Sequence, residues 1–429
     1  VHPNPAEKPV RAQQHRGDGT DACGPARRTG RETTVPTQST RLTRLKGMSN
    51  SVNIPQSMLP EDGRFGSGPS KIRPEQIAAL QRGGKTLLGT SHRQQPVRRL
   101  VASIREGLSD FFRIPDCYEI VLGNGGSSAF WDIACASLIT RRAAFGSYGS
   151  FSAKFAKSAE TAPFLENPAV FVGELGTYRL PEFTDDADAY CWAHNETSTG
   201  VSAPVRRVDG SLDQDALTLI DGTSAAGSMD VDVSQTDAYY FSPQKAFGSD
   251  GGLWICVLSP RAVERAEKIE KGTRLEGNRR WIPPFLSLSS AIANSRKDQT
   301  LNTPAVATLI MLEDQIRWLN DNGGMAWASA RCATSSSLLY EWARRSDYAH
   351  PFVRHEDARS HSVVTIDIDE SIKSDSIVLA LRDNGILDTF GYRKLGRNQL
   401  RIGVFPSVEP DDVAALTGCI DYVVERIRA

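Results

Sequence analysis

The chain has 429 residues, more than one small core needs, and suits roughly two to three domains. Its hydrophobic fraction of 40% and charged fraction of 24% are ordinary for a globular protein. A formal net charge of -1 removes any global electrostatic case for nucleic acid or a membrane surface, and no apolar run approaches the roughly 18 residues that span a bilayer.

Residues 1–58 differ from the rest. They are rich in Pro, Gly, Thr, Gln and Arg and poor in large apolar side chains, so they should not form a core. Residues 1–47 hold nine Lys/Arg against four Asp/Glu, without the apolar stretch of a secretion signal. We expect a disordered extension here, a non-native start or a tail. From Arg64 onward strand and helix signals alternate. Pro96 opens a segment in which Val97, Leu100, Val101, Ile104, Leu108 and Phe111 mark one helical face. Cys117–Leu122 reads as a strand and Ser127–Ile139 as a helix. Strand patterns recur over 187–193, 217–220, 238–241 and 253–258.

Pro304–Leu319 reads as a long helix, broken by Asn320-Asp321-Asn322-Gly323-Gly324. Beyond it come a helix near 326–343, strands over 362–368 and 399–404, and a helix over 411–427. This order predicts an α/β fold with helices on both faces of a sheet. We expect a large domain over 59–320 and a small C-terminal α+β domain over 321–429. The seven cysteines are scattered, odd in number and lack any CxxC, which fits reduced core thiols in a cytoplasmic protein. The seven histidines are scattered too, so no metal site is expected.

The chemistry gathers where strands end. Ala216–Ile220 delivers Asp221, and Tyr239-Tyr240-Phe241 runs into Ser242-Pro243-Gln244-Lys245. One lysine and one aspartate at neighbouring strand ends suit pyridoxal 5'-phosphate: the lysine condenses with its aldehyde and the aspartate keeps its ring nitrogen protonated. Gly123-Asn124-Gly125-Gly126-Ser127-Ser128 follows a strand and opens a helix, where backbone N–H groups attract a phosphate. By itself it equally suits a tight strand–helix turn. Phe151 could stack on a planar cofactor or simply pack in the core. His194-Asn195-Glu196-Thr197 sets polar groups at another strand end. His92-Arg93, and Arg393, Lys394, Arg397 and Arg401, are cationic clusters that suit either a solvated face or an anionic substrate.

Together these motifs resemble the phosphoserine aminotransferases, class V aminotransferases of the fold-type I pyridoxal phosphate architecture. The matching segments are Arg64–Ser70, Gly89–Arg93, Asn124–Ser128, His194–Thr197, Asp221–Ser224, Ser242–Lys245, Leu301–Pro304 and Gly391–Arg393. The resemblance implies a large domain with a mostly parallel seven-stranded sheet. It implies transamination between L-glutamate and 3-phosphohydroxypyruvate in L-serine biosynthesis, with a side activity in vitamin B6 synthesis. Lys245 and Asp221 would be catalytic. Gly126, Ser127, Ser128 and Gln244 would hold the cofactor phosphate, Thr197 the phenolic oxygen and Phe151 the ring face. Asn302 and Thr303 would reach the phosphate of a second subunit's cofactor, making a homodimer with active sites at the subunit interface. His92, Arg93 and Arg393 would bind the substrate phosphate, and Arg401 the α-carboxylate.

The chain departs from better-known bacterial members at three residues, and its segment between Arg393 and Arg401 is about two residues longer. Ser127 stands where they carry Arg, Phe151 where they carry Trp, and Tyr392 where they carry His. Serine–glyoxylate and alanine–glyoxylate aminotransferases are the nearest alternatives, but their substrates lack a phosphate for His92, Arg93 and Arg393. A cysteine desulfurase would need a placed reactive Cys. A non-catalytic binding protein would not need both Lys245 and Asp221.

Overall fold

Two sheets organise the protein, whose structure is a computed structural model describing residues 52–272 and 280–429. The described residues pack as one compact unit. Most of the expected N-terminal extension lies outside the described residues. Its last part does not behave as a loose tail: Ile54 is buried, its N–H donates to Asn384 Oδ1, and Asn384 Nδ2 donates to the Val52 carbonyl. The composition of the leading stretch hid these two apolar anchors.

The first sheet is built from β1 (Glu119–Asn124), β2 (Ala143–Ser147), β3 (Ala169–Val172), β4 (Ala189–Ala193), β7 (Leu217–Asp221), β8 (Ala238–Phe241) and β9 (Leu253–Leu258). The order is β1-β9-β8-β7-β4-β2-β3, with β9 antiparallel to both neighbours and the other pairings parallel. A short hairpin, β5 (Asn195–Glu196) and β6 (Val201–Ser202), follows β4. The central strands are apolar on both faces because both faces are covered. Alternation divides them: Tyr239, Ile255 and Val257 join one core, while Tyr240, Cys256 and Leu258 join the other.

The first core is closed by α2 (Gln95–Phe112) and α7 (Val306–Asp321), through Ile104, Leu108, Phe111, Leu309 and Leu312. Pro96 lies in the first turn of α2, and Arg113 ends it in the left-handed region at φ 49°. Helix α1 (Pro74–Leu87) packs against α7 from outside. The second core takes Phe130, Trp131 and Ile133 from α3 (Ser127–Ser137) and Phe155 from α4 (Ser150–Thr161). Helices α5 (Pro260–Glu270) and α6 (Leu288–Ser295) complete it.

After α7 the chain enters α8 (Gly324–Arg345). It then builds an antiparallel sheet from β10 (Ala349–Pro351), β11 (Val363–Ile368) and β12 (Gln399–Gly403). Helices α9 (Ser374–Asp383) and α10 (Pro410–Arg428) cover it, with Ile366, Leu400, Ile402, Leu416 and Ile420 in a separate core that also takes Ile54 and Phe65. Among the described residues, no helix is long and apolar enough to cross a membrane. The mostly parallel seven-stranded sheet and helical cover are as the α/β reading expects. Strands β2 and β3 were not read from sequence. β3 is a four-residue edge strand whose Val170 and Val172 are exposed, so it lacks the apolar continuity of its neighbours.

Candidate active site

The parallel strands β4, β7 and β8 end at one edge, and each hands a polar group to it. Asp221 closes β7, and Lys245 lies in the turn after β8. Both are buried, at 6% and 8% exposure. Lys245 Nζ donates to the Ser67 carbonyl at 2.6 Å. Burial, with Arg401 adding to it, brings its ammonium down to about 7, while Asp221 and Glu196 oppose that shift. The amine is therefore partly neutral near physiological pH, as a nucleophile and proton carrier must be.

The segment Arg64–Ser70 lies across this lysine. Ser70 Oγ donates to the Lys245 carbonyl, and Ser70 N–H donates to that of Gln244. Gly68 sits at φ +132°, and a Cβ there would collide with Lys245 Nζ. Gly68→Ala is therefore expected to displace the amine and weaken reconstitution with pyridoxal 5'-phosphate by at least about ten-fold. Absorbance titration of the cofactor-free variant checks this.

Asp221 accepts from Trp131 Nε1 at 3.0 Å and from the Thr223 N–H at 2.9 Å. Burial pushes its carboxyl upward, and these hydrogen bonds oppose the shift. Thr223 Oγ1 donates to Ser127 Oγ at 2.6 Å, and Ser127 Oγ pairs with Ser242 Oγ at 2.8 Å. Three hydroxyls thus gather at the start of α3, beyond the turn where Gly125 takes φ +119° and Gly126 is the N-cap. Ser128 is exposed in the same first turn. Free N–H groups of a helix start and convergent hydroxyls suit a phosphate. The buried Gln244 Oε1 has no partner within the protein, which suits a bound polar group beside this turn.

Thr197 Oγ1 donates to Ser224 Oγ at 2.8 Å, and Asn195 Nδ2 donates to the same oxygen at 2.8 Å. Glu196 between them is fully buried. Its carboxylate accepts from the Phe151, Ser152 and Ser198 N–H groups and from the Ser152 and Ser198 hydroxyls. It thereby anchors the first turn of α4, which carries Phe151. Phe151 stands 5.9 Å from the Tyr392 ring, and Arg401 lies 5.2 Å over that ring. Arg401 Nη1 donates to the Thr197 carbonyl at 3.1 Å, while its buried Nε has no partner in the protein. Burial pushes the guanidinium down from its ordinary value.

The cations read as one run after residue 392 separate in the fold. Arg397 pairs with Asp367 and lies over Phe352, a structural role. Arg393 and Lys394 are exposed in a short 3-10 turn (Arg393–Leu395). A second group forms apart from the Lys245 contacts: Thr303 Oγ1 faces His92 Nδ1 at 3.3 Å, and Asn124 Nδ2 donates to the Thr303 carbonyl at 3.0 Å. Arg93 Nη1 donates to Gln299 Oε1 at 3.2 Å. Asn302 is exposed, and its carbonyl accepts from Thr300 Oγ1. His92 Nε2 is buried without a partner, and burial with Arg93 nearby lowers its pKa. Among the described residues, no hydrogen bond or ion pair joins His92 or Arg93 to Arg393.

Sequence reasoning missed Trp131, Ser242 and the anchoring role of Glu196. Trp131 is four residues after Ser127, the spacing that shares a helix face, which is the signal that could have found it. Ser242 pairs with Ser127, and Glu196 reaches Phe151 and Ser152, all far away in sequence, so no local spacing marks those pairings.

A family model described as "Aminotransferase class-V" matches residues 65–393. A relative from Rhodococcus opacus (strain B4), named phosphoserine aminotransferase, is 51% identical over 380 residues, covering 89% of this chain and 100% of its own. A second, from Mycolicibacterium vanbaalenii, is 52% identical over 380 residues, with 89% and 100% covered. The fold is similar to the crystal structure of a phosphoserine aminotransferase from Cytophaga hutchinsonii, with a TM-score of 0.75, 21% identity and coverage of 84% of this chain and 99% of that one. The phosphoserine aminotransferase from Bacillus circulans subsp. alkalophilus gives a TM-score of 0.71 at 19% identity, covering 86% and 99%. With a family model matching most of its length and relatives half-identical across nearly all of theirs, the chain belongs to the class V aminotransferases, in their phosphoserine aminotransferase family.

Proposed function

We propose that this protein catalyses reversible amino transfer between L-glutamate and 3-phosphohydroxypyruvate, giving 2-oxoglutarate and O-phospho-L-serine in L-serine biosynthesis. The observation that carries the reading is the buried pair of Lys245, near-neutral in pKa, and Asp221 at adjacent strand ends. Half-identity to a relative named for this activity supports the substrate.

Bound pyridoxal 5'-phosphate supplies an aldehyde to receive the amino group and a ring to accept the electron pair left by a broken Cα–H bond. Lys245 would hold the cofactor at that aldehyde, and its amine would carry the proton to and from the substrate Cα. Its depressed pKa lets it do both near neutrality. Asp221 would hold the ring nitrogen, Thr197 the phenolic oxygen and Phe151 the ring face. Gly126, Ser127, Ser128 and Gln244 would hold the phosphate. Arg401, with Nε unpaired in the protein, grips the substrate α-carboxylate.

Asn302 and Thr303 would reach a second subunit's cofactor in a homodimer, and His92 and Arg93 would join the partner's Arg393-side phosphate site. The unpartnered His92 Nε2 supports a site completed from outside the chain. We further assign a side activity on 3-hydroxy-2-oxo-4-phosphooxybutanoate and a cytoplasmic setting, which fits the absence of disulfides among the described residues. Division into a domain over 59–320 and one over 321–429 is supported by the C-terminal sheet having its own core, although Met325, Ala328, Phe352, Val353 and Ala358 pack into the first.

Comparing O-phospho-L-serine with L-serine as amino donor to 2-oxoglutarate tests the substrate. A large preference for the phosphorylated donor is expected; equal rates would refute it. Arg393→Ala is expected to lower kcat/KM for phosphoserine by about 10- to 100-fold, the weight of a hydrogen bond to a charged group, while glutamate kinetics change little. Steady-state kinetics with each donor read the difference.

A further inference from the structure

We propose that Trp131 is a positioning residue for the transamination: its indole N–H fixes the Asp221 carboxylate as an ionised group, ready for the cofactor's ring nitrogen. The inference rests on the role given to Asp221 above.

A buried indole N–H needs an acceptor. Trp192, on β4, donates to a backbone carbonyl, that of Pro204. Trp131 instead donates to Asp221 Oδ2 at 3.0 Å, while Oδ1 takes the Thr223 N–H. The indole cannot easily turn away. It is 6% exposed and stacks beside Phe155, with centroids 6.2 Å apart and planes 18° from parallel. It also stands one helical turn past Ser127, whose hydroxyl accepts from Thr223 Oγ1. Helix α3 therefore grips the end of β7 twice, at the phosphate turn through Ser127 and Thr223, and at the carboxylate through Trp131.

The donor matters because the surroundings favour a proton on Asp221. Burial and the nearby Glu196 push its carboxyl upward, and Trp131 and Thr223 counter them. The other titratable groups interacting with it are Lys245, Tyr148, Tyr239 and Tyr240. A protonated Asp221 would no longer draw a proton onto a ring nitrogen. Losing the Trp131 donor removes one of the hydrogen bonds that favour the charged form and frees the carboxylate to rotate.

Trp131→Phe keeps a large apolar ring and deletes the donor. Cofactor-free protein is titrated with pyridoxal 5'-phosphate by visible absorbance, and kcat and KM for phosphoserine are measured across pH. Binding is expected to weaken by about 10- to 100-fold and kcat to fall by a similar factor, with KM nearly unchanged. The acid limb of kcat should move to higher pH. In an Asp221→Asn background the same substitution should add little. Wild-type affinity, kcat and acid limb in Trp131→Phe would overturn the proposal, as would an equal loss in both backgrounds, which marks a merely structural role. If Trp131→Phe does not fold, Trp131→His, a smaller ring that keeps an N–H, is compared with Trp131→Met: better binding by the His variant is expected, and equal binding overturns the proposal. Failure of the wild-type protein to bind the cofactor would instead defeat the reading of the site itself.

Discussion

Lys245→Ala is expected to abolish amino transfer, lowering kcat by roughly 10^4-fold or more, because the proposed mechanism makes one side chain both nucleophile and proton carrier. Steady-state assays with phosphoserine and 2-oxoglutarate measure the loss, and the visible band of the reconstituted protein should vanish with it. A coloured, active variant would defeat the assignment. The same residue carries a stability signature in the cofactor-free protein. Its folded pKa of about 7 lies below the ordinary lysine value of 10.5. Below pH 7 the lysine is charged in both folded and unfolded chains, and the burial cost is fully present. As pH rises from 7 towards 10.5 the folded protein holds it neutral while the unfolded chain still binds the proton, so stability climbs. Lys245→Met should therefore be more stable than wild type below pH 7, by a few kcal/mol, and lose that advantage as pH approaches 10.5. Urea unfolding of both cofactor-free proteins across pH reads it; parallel curves would contradict the burial argument.

Glu196→Ala is expected to destabilise the protein by about 3–5 kcal/mol, a large share of the stability of an ordinary domain. The carboxylate is fully buried and receives N–H groups from Phe151, Ser152 and Ser198 and the hydroxyls of Ser152 and Ser198. Alanine would leave these donors without an acceptor, save the Ser152 hydroxyl, which can turn to the Gly149 carbonyl, and burial without a partner is costly. It would also remove the negative charge that raises the pKa values of Lys245 and Arg401, so both cations should become harder to keep charged. Glu196→Gln keeps the volume but sets an NH2 group against N–H donors, and should recover only part of the loss. Denaturant midpoints of the three proteins test this. A change within about 0.5 kcal/mol, typical of a surface substitution, would show that the carboxylate does not anchor α4.

Much of the site was legible in sequence because its parts are strand ends. An apolar strand must stop at the sheet edge, so Asp221 and Lys245 were placed where the runs before them ended. The glycine turn at Gly125-Gly126 followed by hydroxyls marked a helix start in the same way. The cations were not resolved by the same logic. Arg397 and Arg401 lie four residues apart, yet one pairs with Asp367 and the other reaches Thr197. Which cation met a carboxylate depended on Asp367 of β11, 30 residues from Arg397 in sequence.

By itself, the sequence determined the alternating α/β order, the strand-terminal lysine and aspartate, and the family that carries them. Those features depend on local periodicity and on residue types whose chemistry has few substitutes. Only the tertiary structure decided that Trp131 grips Asp221, that Glu196 anchors the turn bearing Phe151, and that Ser67 receives Lys245. It also brought Ile54 into the C-terminal core. These pairings join residues 45 to 330 positions apart. Burial there strips water from each group and leaves it to whichever partner the fold supplies, which no local pattern can specify.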